Sequence, residues 1–223
     1  ISFSCNKGET TAIIGSTGSG KSTIANLILR LHDIDQGEIR INGVDIRCLS
    51  QKELRDTIGY VPQKAFLFSG TIEDNLRMGY KEATKEDMER ALSISQSKSF
   101  VDKLPIGLKS EVSQGGSNFS GGQKQRLSIA RALIRKVPIY IFDDSFSALD
   151  LKTDSALRKS LKENMRDAAK IIIAQRVSTI MDADQILVLD EGKLVGIGKH
   201  IDLMKNCSVY QAIAKSQMSI EEV

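Results

Sequence analysis

Several classes of protein are argued against by what this sequence lacks. Its three cysteines, Cys5, Cys48 and Cys207, are scattered, with neither metal-ligand nor redox spacing. An odd, dispersed set fits a reducing compartment better than a disulfide framework. No apolar segment approaches the roughly 18 residues that a membrane-spanning helix needs, and no signal peptide is visible. The chain is therefore not expected to cross a membrane by itself. Lys and Arg total 31 against 28 Asp and Glu, a dispersed balance that leaves a formal net charge of +3. With no basic tract and no strip of aromatic and basic residues, nothing favours a nucleic-acid partner. Repeats and low-complexity stretches are also missing. So is an initiator methionine, and the strand-like opening Ile1–Cys5 suggests a domain cut from a larger polypeptide.

What is present is enough chain, 223 residues, for a substantial core without disulfides or metals. Short β-rich runs alternate with amphipathic stretches, the pattern of a mainly parallel sheet covered by helices. The expected strands are 9–14, 57–61, 139–142, 170–175 and 185–189, with hairpin or edge strands at 38–41 and 193–197 beside Asn42-Gly43 and Glu191-Gly192. Helices are expected after Lys21, through 85–96, from Ser120, and over 153–169. Residues 66–135 are rich in helix formers and hold no convincing central strand. They read as a helical subdomain inserted into an α/β core made of 1–65 and 136–223, with 216–223 as a frayed tail.

Gly15-Ser16-Thr17-Gly18-Ser19-Gly20-Lys21-Ser22 satisfies the P-loop pattern in full, between a strand and the helical pattern that begins at Thr23. Its glycines let successive N–H groups turn inward, and the helix start adds partial positive charge toward a polyphosphate. Lys21 is placed to reach the β- and γ-phosphates, and the Ser22 hydroxyl to ligate Mg²⁺. A bare strand-to-helix turn has no need of Lys followed by Ser.

Asp143 and Asp144 end the apolar run Val137–Phe142, at the carboxyl end of an expected central strand, where open α/β sheets bind ligands. Mg²⁺ prefers oxygen ligands and keeps several waters, so Asp143 is expected to hold the ion through one of them. Capping of the next helix is the alternative role for Asp143. Asp144 would then face the attacking water.

Ser120-Gly121-Gly122-Gln123 opens a helix whose Leu127, Ala130, Leu133 and Ile134 recur at helical spacing. By average residue frequencies this tetrapeptide arises by chance on the order of once in a few hundred chains of this length. Beside the P-loop and the Asp143 strand, it makes the chain resemble the nucleotide-binding domain of ATP-binding cassette (ABC) transporters. Gly15–Ser22 stands as Walker A, Gln63 as the Q-loop, Asn118–Arg126 as the signature, Ile139–Asp144 as Walker B and Ser147–Asp150 as the D-loop.

The resemblance implies a P-loop NTPase core of mainly parallel sheet, with a small antiparallel β portion and an inserted helical subdomain. It implies ATP with Mg²⁺: Ser16 to Thr23 around the phosphates, Ser22, Gln63 and Asp143 around the metal, and Gln63, Asp144 and Gln175 in catalysis. It also implies a second nucleotide-binding domain packed head to tail, so that Ser120–Gln123 closes on the partner's ATP. Lys64–Ile72 and Glu111–Gly116 are similar to exporter surfaces that seat the coupling helices of transmembrane domains, at the cytoplasmic face of the membrane. Phe66 and Phe68 suit such an interface, or else the core.

Two residues depart from the family pattern. Asp144 stands where the family carries a catalytic glutamate and is shorter by one C–C bond, about 1.5 Å. Gln175 replaces the switch histidine; its amide can donate a hydrogen bond but cannot titrate near neutrality. Both lie where the γ-phosphate is expected while Ser120–Gln123 is unaltered, so the resemblance narrows to the degenerate-site subunit of a heterodimeric, multidrug-type exporter. The family's adenine-stacking aromatic is expected upstream of Ile1, since only Phe3 precedes Gly15. A non-hydrolysing, ATP-gated interaction module is the nearest alternative. A soluble cassette acting on nucleic acid or ribosomes would carry a coiled-coil insertion, duplicated cassettes or basic surfaces, and none is visible.

Overall fold

The computed structural model describes residues 1–221. In chain order, β1 (Thr10–Gly15) leads into α1 (Lys21–Ile28), and β2 (Arg40–Ile41) and β3 (Val44–Asp45) precede α2 (Gln51–Asp56) and β4 (Ile58–Val61). Next come β5 (Gly70–Thr71), α3 (Ile72–Arg77), α4 (Lys85–Ile94), α5 (Lys98–Val101), β6 (Glu111–Val112) and α6 (Gly121–Leu133). The chain then runs through β7 (Ile139–Asp143), α7 (Leu151–Asn164), β8 (Ala169–Ile173) and α8 (Val177–Ile180). It finishes with β9 (Gln185–Asp190), β10 (Lys193–Gly198), α9 (His200–Asn206) and α10 (Ser208–Glu221).

The chain forms two compact units. One holds Ile1–Gly59, Val137–Asp144 and the chain from Asp167 onward; the other holds Tyr60–Lys136 and Ser145–Arg166. Six strands make the main sheet, in the order β10-β9-β1-β8-β7-β4. β1 is parallel to both β8 and β9, β7 is parallel to β8, and β10 is antiparallel to β9. This is the α/β architecture expected, mainly parallel with small antiparallel parts.

Strand composition explains the order. β8 is buried along its whole length, and Ala12, Ile13 and Ile14 of β1 have no exposed surface. Strands covered on both faces read as continuous apolar runs, and each fully buried Ile contributes roughly 1.5–3 kcal/mol. β10 alternates exposed and half-buried residues, as an antiparallel edge strand with one solvated face does. The two Gly turns behave as expected: Asn42 and Gly43 lie at φ 50 and 81, and Glu191 and Gly192 at 45 and 77. Positive φ at both central residues is the signature of the type I′ hairpin.

Several boundaries differ from those expected. The helix expected over 153–169 runs instead from Leu151 to Asn164. Asp150 caps it by accepting from the Thr153 amide, Met165 leaves helical geometry, and Ala169 already belongs to β8. The helix through 85–96 stops at Ile94, where Gln96 turns left-handed at φ 61. The stretch expected to fray, 216–223, is helical through Glu221; residues 222–223 lie outside the described residues. Among the described residues no helix is long and apolar enough to cross a membrane, and the three cysteines are free thiols.

In the helical unit α6 packs against α3 and α4, and α4 also meets α7. Gly79 allows the close approach of α6: a Cβ there would lie 2.1 Å from the Arg131 carbonyl oxygen. Four helices start with reciprocal capping boxes, Ser50/Glu53, Thr71/Asp74, Thr84/Asp87 and Ser120/Gln123.

Candidate nucleotide site

The loop between β1 and α1 is built for close backbone approach. A Cβ on Gly15 would fall 2.2 Å from the Leu189 carbonyl oxygen, so only glycine fits beside β9. Gly18 and Gly20 take left-handed φ of 83 and 94, which curls the loop. Gly20 is the N-cap of α1 and offers no side-chain cap, and the first turn carries no acidic residue. The free N–H groups and positive end of that helix therefore remain available to an anion. Ser19 adds a buried hydroxyl with no partner. Ser16, Thr17, Gly18, Ser22 and Thr23 are exposed around this start.

Lys21 folds into the loop, its Nζ donating to the carbonyls of Gly15 at 2.8 Å and Ser16 at 2.7 Å. Burial pushes its ammonium below the usual lysine range, and the carboxylates of Asp144 and Asp143 oppose that shift. An ammonium has three donors, so one remains while the cation waits on these carbonyls. Beside it the Ser22 hydroxyl donates to Asp143 Oδ1 at 3.0 Å. This pair of hard oxygens, one of them ionisable, is the donor set that Mg²⁺ prefers, and the residues present fit that ion.

Asp143 ends β7 and is 5% exposed; Asp144 follows it at 7%. Asp144 has a left-handed φ of 44, a conformation that costs a non-glycine residue of order 1 kcal/mol, and its amide donates to the Ile173 carbonyl. Gln175 follows β8, and its Nε2 donates to Asp144 Oδ2 at 2.7 Å. The two departures seen in the sequence are thus in direct contact.

Gln217 of α10 joins this segment without any sequence signal. Its Oε1 accepts from the Val177 amide at 2.8 Å and its Nε2 donates to the Gln175 carbonyl at 2.6 Å. It lies within 216–223, where a frayed tail is expected, and no motif marks it.

The α/β unit therefore brings together the P-loop, Asp143, Asp144 and Gln175. The helical unit carries Gln63, exposed after β4, and Ser120–Gln123 at the start of α6. There the Ser120 hydroxyl accepts from the Gln123 amide at 3.2 Å, while Gln123 Oε1 accepts from the Ser120 amide at 2.9 Å. A hydroxyl that accepts in its cap keeps its own proton to donate. Gly121 has open space where a Cβ would be, which leaves backbone accessible beside it.

The same unit settles Phe66 and Phe68. They are 48% and 46% exposed and meet edge to face at 5.0 Å, while Leu67 between them is fully buried. Asn75 pins Phe68 by both its amide and its carbonyl, and Arg131 donates to the Phe66 carbonyl at 2.9 Å. Both rings belong to the surface and neither to the core.

A glycine loop that opens an uncapped helix beside a Ser–Asp oxygen pair defines a P-loop nucleotide-binding domain, in a unit whose sheet is mainly parallel. The likeness to known proteins is more specific. Residues 1–147 match the family model described as ABC transporter. The chain is 48% identical over 220 residues to an uncharacterized ABC transporter ATP-binding protein of Mycobacterium tuberculosis, a match over 97% of this chain and 38% of that protein. It is 41% identical over 218 residues to the ATP-dependent lipid A-core flippase of Vibrio vulnificus, over 97% of this chain and 37% of that protein. A solved structure of a bacterial Atm1-family ABC exporter with ATP bound superposes with a TM-score of 0.91 at 39% identity, over 95% of this chain and 37% of the other. The chain belongs to the ABC transporter family, as a nucleotide-binding domain of the exporter type. It spans 38% of the length of that mycobacterial relative.

Proposed function

We propose that this chain binds Mg-ATP, pairs head to tail with a second nucleotide-binding domain and powers export, while its own phosphate site turns over slowly. The α/β core of 1–65 with 136–223 would carry 66–135 as the helical subdomain that presents the signature, although 60–65 and 145–166 pack within the helical unit. Ser16 to Thr23 receive the phosphates, and Lys21 leaves the Gly15 and Ser16 carbonyls for the β- and γ-phosphates. Ser22 and Asp143 would hold Mg²⁺, with Gln63 as a further candidate ligand, and the ion would offset the charge gathering on the transferred phosphoryl oxygens. Ser120 to Gln123 would close on the partner's nucleotide, with the Ser120 hydroxyl donating to it. The ATP-bound exporter relative supports the choice of nucleotide.

The slow site is carried by one observation, the 2.7 Å bond from Gln175 Nε2 to Asp144 Oδ2. Asp144 is a short base, and an amide donor occupies one of its oxygens. A misplacement near 1 Å can cost on the order of a hundredfold in rate. The partner is then expected to be a different subunit whose phosphate site is intact. Phe66, Phe68 and the Glu111–Gly116 loop form the face that would receive coupling helices of transmembrane domains, which places the chain at the cytoplasmic side of a membrane. Nucleic acid has no role in this scheme.

The test compares ATP turnover by the chain alone, mixed with its partner domain, and carrying Asp144→Glu with Gln175→His. The double variant should gain on the order of tenfold to a hundredfold. Rapid turnover by the unmodified chain alone would sink the slow-site proposal. Absence of turnover in mixed dimers, whatever the state of Ser120, would favour an ATP-gated interaction module instead.

A further inference from the structure

The segment after β8 is held by two elements. Its Gln175 side chain donates to Asp144 Oδ2, after β7, at 2.7 Å. One side chain of the last helix brackets its backbone: Gln217 Oε1 accepts from the Val177 amide at 2.8 Å and Gln217 Nε2 donates to the Gln175 carbonyl at 2.6 Å. An amide side chain can satisfy a backbone donor and a backbone acceptor at once, as the neighbouring strand of a sheet would. These two bonds hold the peptides on either side of Arg176, the first of which begins at the Gln175 carbonyl. α10 also packs on α8 and β9, so Gln217 is delivered by an anchored helix.

We infer that Gln217 is a positioning residue for this segment, and that by holding Gln175 on Asp144 it keeps turnover low, a role that rests on Asp144 acting as the base. The last helix is then a handle on hydrolysis: a partner or ligand that draws α10 away removes both backbone bonds and loosens the hold of Gln175 on Asp144. Gln217 touches no nucleotide in this arrangement and acts only through Gln175.

The test is a double-mutant cycle on ATP turnover by the full-length protein paired with a partner whose own phosphate site has been inactivated, so that only this chain's site is read. Gln217→Ala should raise kcat about fivefold with Gln175 in place, the scale of one net intramolecular hydrogen bond. In the Gln175→Ala background the same change should leave kcat unmoved, because the side chain through which it acts is gone. Gln217→Glu keeps the size and the acceptor for Val177 but sets a carboxylate against the Gln175 carbonyl; it should match alanine, and it carries the test if alanine unfolds. An equal effect in both backgrounds, or none in either, would overturn the inference. A fast unmodified enzyme would instead refute the slow-site proposal, and the cycle would still report whether 217 and 175 are coupled.

Discussion

Two helix starts in this molecule, α1 and α6, are both glycine-rich and are finished in opposite ways. α1 begins at Gly20 with no side-chain cap, beside a buried Ser19 hydroxyl that has no partner. α6 begins inside a complete capping box in which Ser120 and Gln123 satisfy each other. An uncapped start leaves N–H groups open to an anion, whereas a capped start is complete within its own unit. The α/β unit thus keeps donors available for a ligand. The helical unit presents a finished surface with one hydroxyl proton to offer.

The largest expected effect tests the open start. Lys21→Met removes the cation folded into the loop, and nucleotide affinity should fall at least about a hundredfold, or ~3 kcal/mol, by titration calorimetry. Retained affinity would mean that the helix start alone binds the phosphates. The next strikes the other region. Gly79→Ala would force a Cβ to 2.1 Å from the Arg131 carbonyl and should cost about 2 kcal/mol in urea unfolding, with the phosphate loop's affinity unchanged. Ser120→Ala should cost about 1 kcal/mol for the lost cap, and should slow turnover in the mixed dimer while sparing this chain's own nucleotide binding. Weaker binding by this chain alone would break the contrast.

The smallest effect is a dependence on pH. Burial holds the Tyr210 phenol up at about 12, and its hydroxyl lies 2.9 Å from His200 Nδ1. The folded protein keeps a proton that the unfolded chain gives up near pH 10, so this stability is whole below that value and is lost as pH rises toward about 12. Tyr210→Phe should flatten that alkaline decline and cost roughly 1 kcal/mol at neutral pH. Carboxylates in both units have the opposite sensitivity, and the helical unit supplies two of them. The Thr71 hydroxyl and amide, and the Thr84 amide and hydroxyl, hold Asp74 and Asp87 below the usual carboxylate range. Their small contribution is present above the unfolded values and fades as pH falls through the folded ones. Melting followed across pH in the Tyr210→Phe, Asp74→Asn and Asp87→Asn variants would show the two slopes.

Much of this was legible in the residues. Ile13, Ile14, Phe142 and the Ile171–Ile173 run announce parallel strands because a sheet covered on both faces favours apolar residues. Gly15–Ser22 announces its loop because glycine is needed for the left-handed turns and for the approach to Leu189. The exposure of Phe66 and Phe68 was not legible, since an aromatic can lie on either side of a surface until its neighbours are known. Leu67, alternating with them, takes the core position.

The sequence by itself determined the phosphate loop, the signature helix, the strand that ends in Asp143, and the two residues at which the family pattern fails. Those features are local, fixed by residue type at short spacing. Only the tertiary structure decided that Gln175 would lie on Asp144, 31 residues away in sequence, and that Gln217 would hold Gln175 from 42 residues further on. Such contacts depend on parallel strands and a returning helix bringing distant backbone within 3 Å, and no spacing along the chain records that distance.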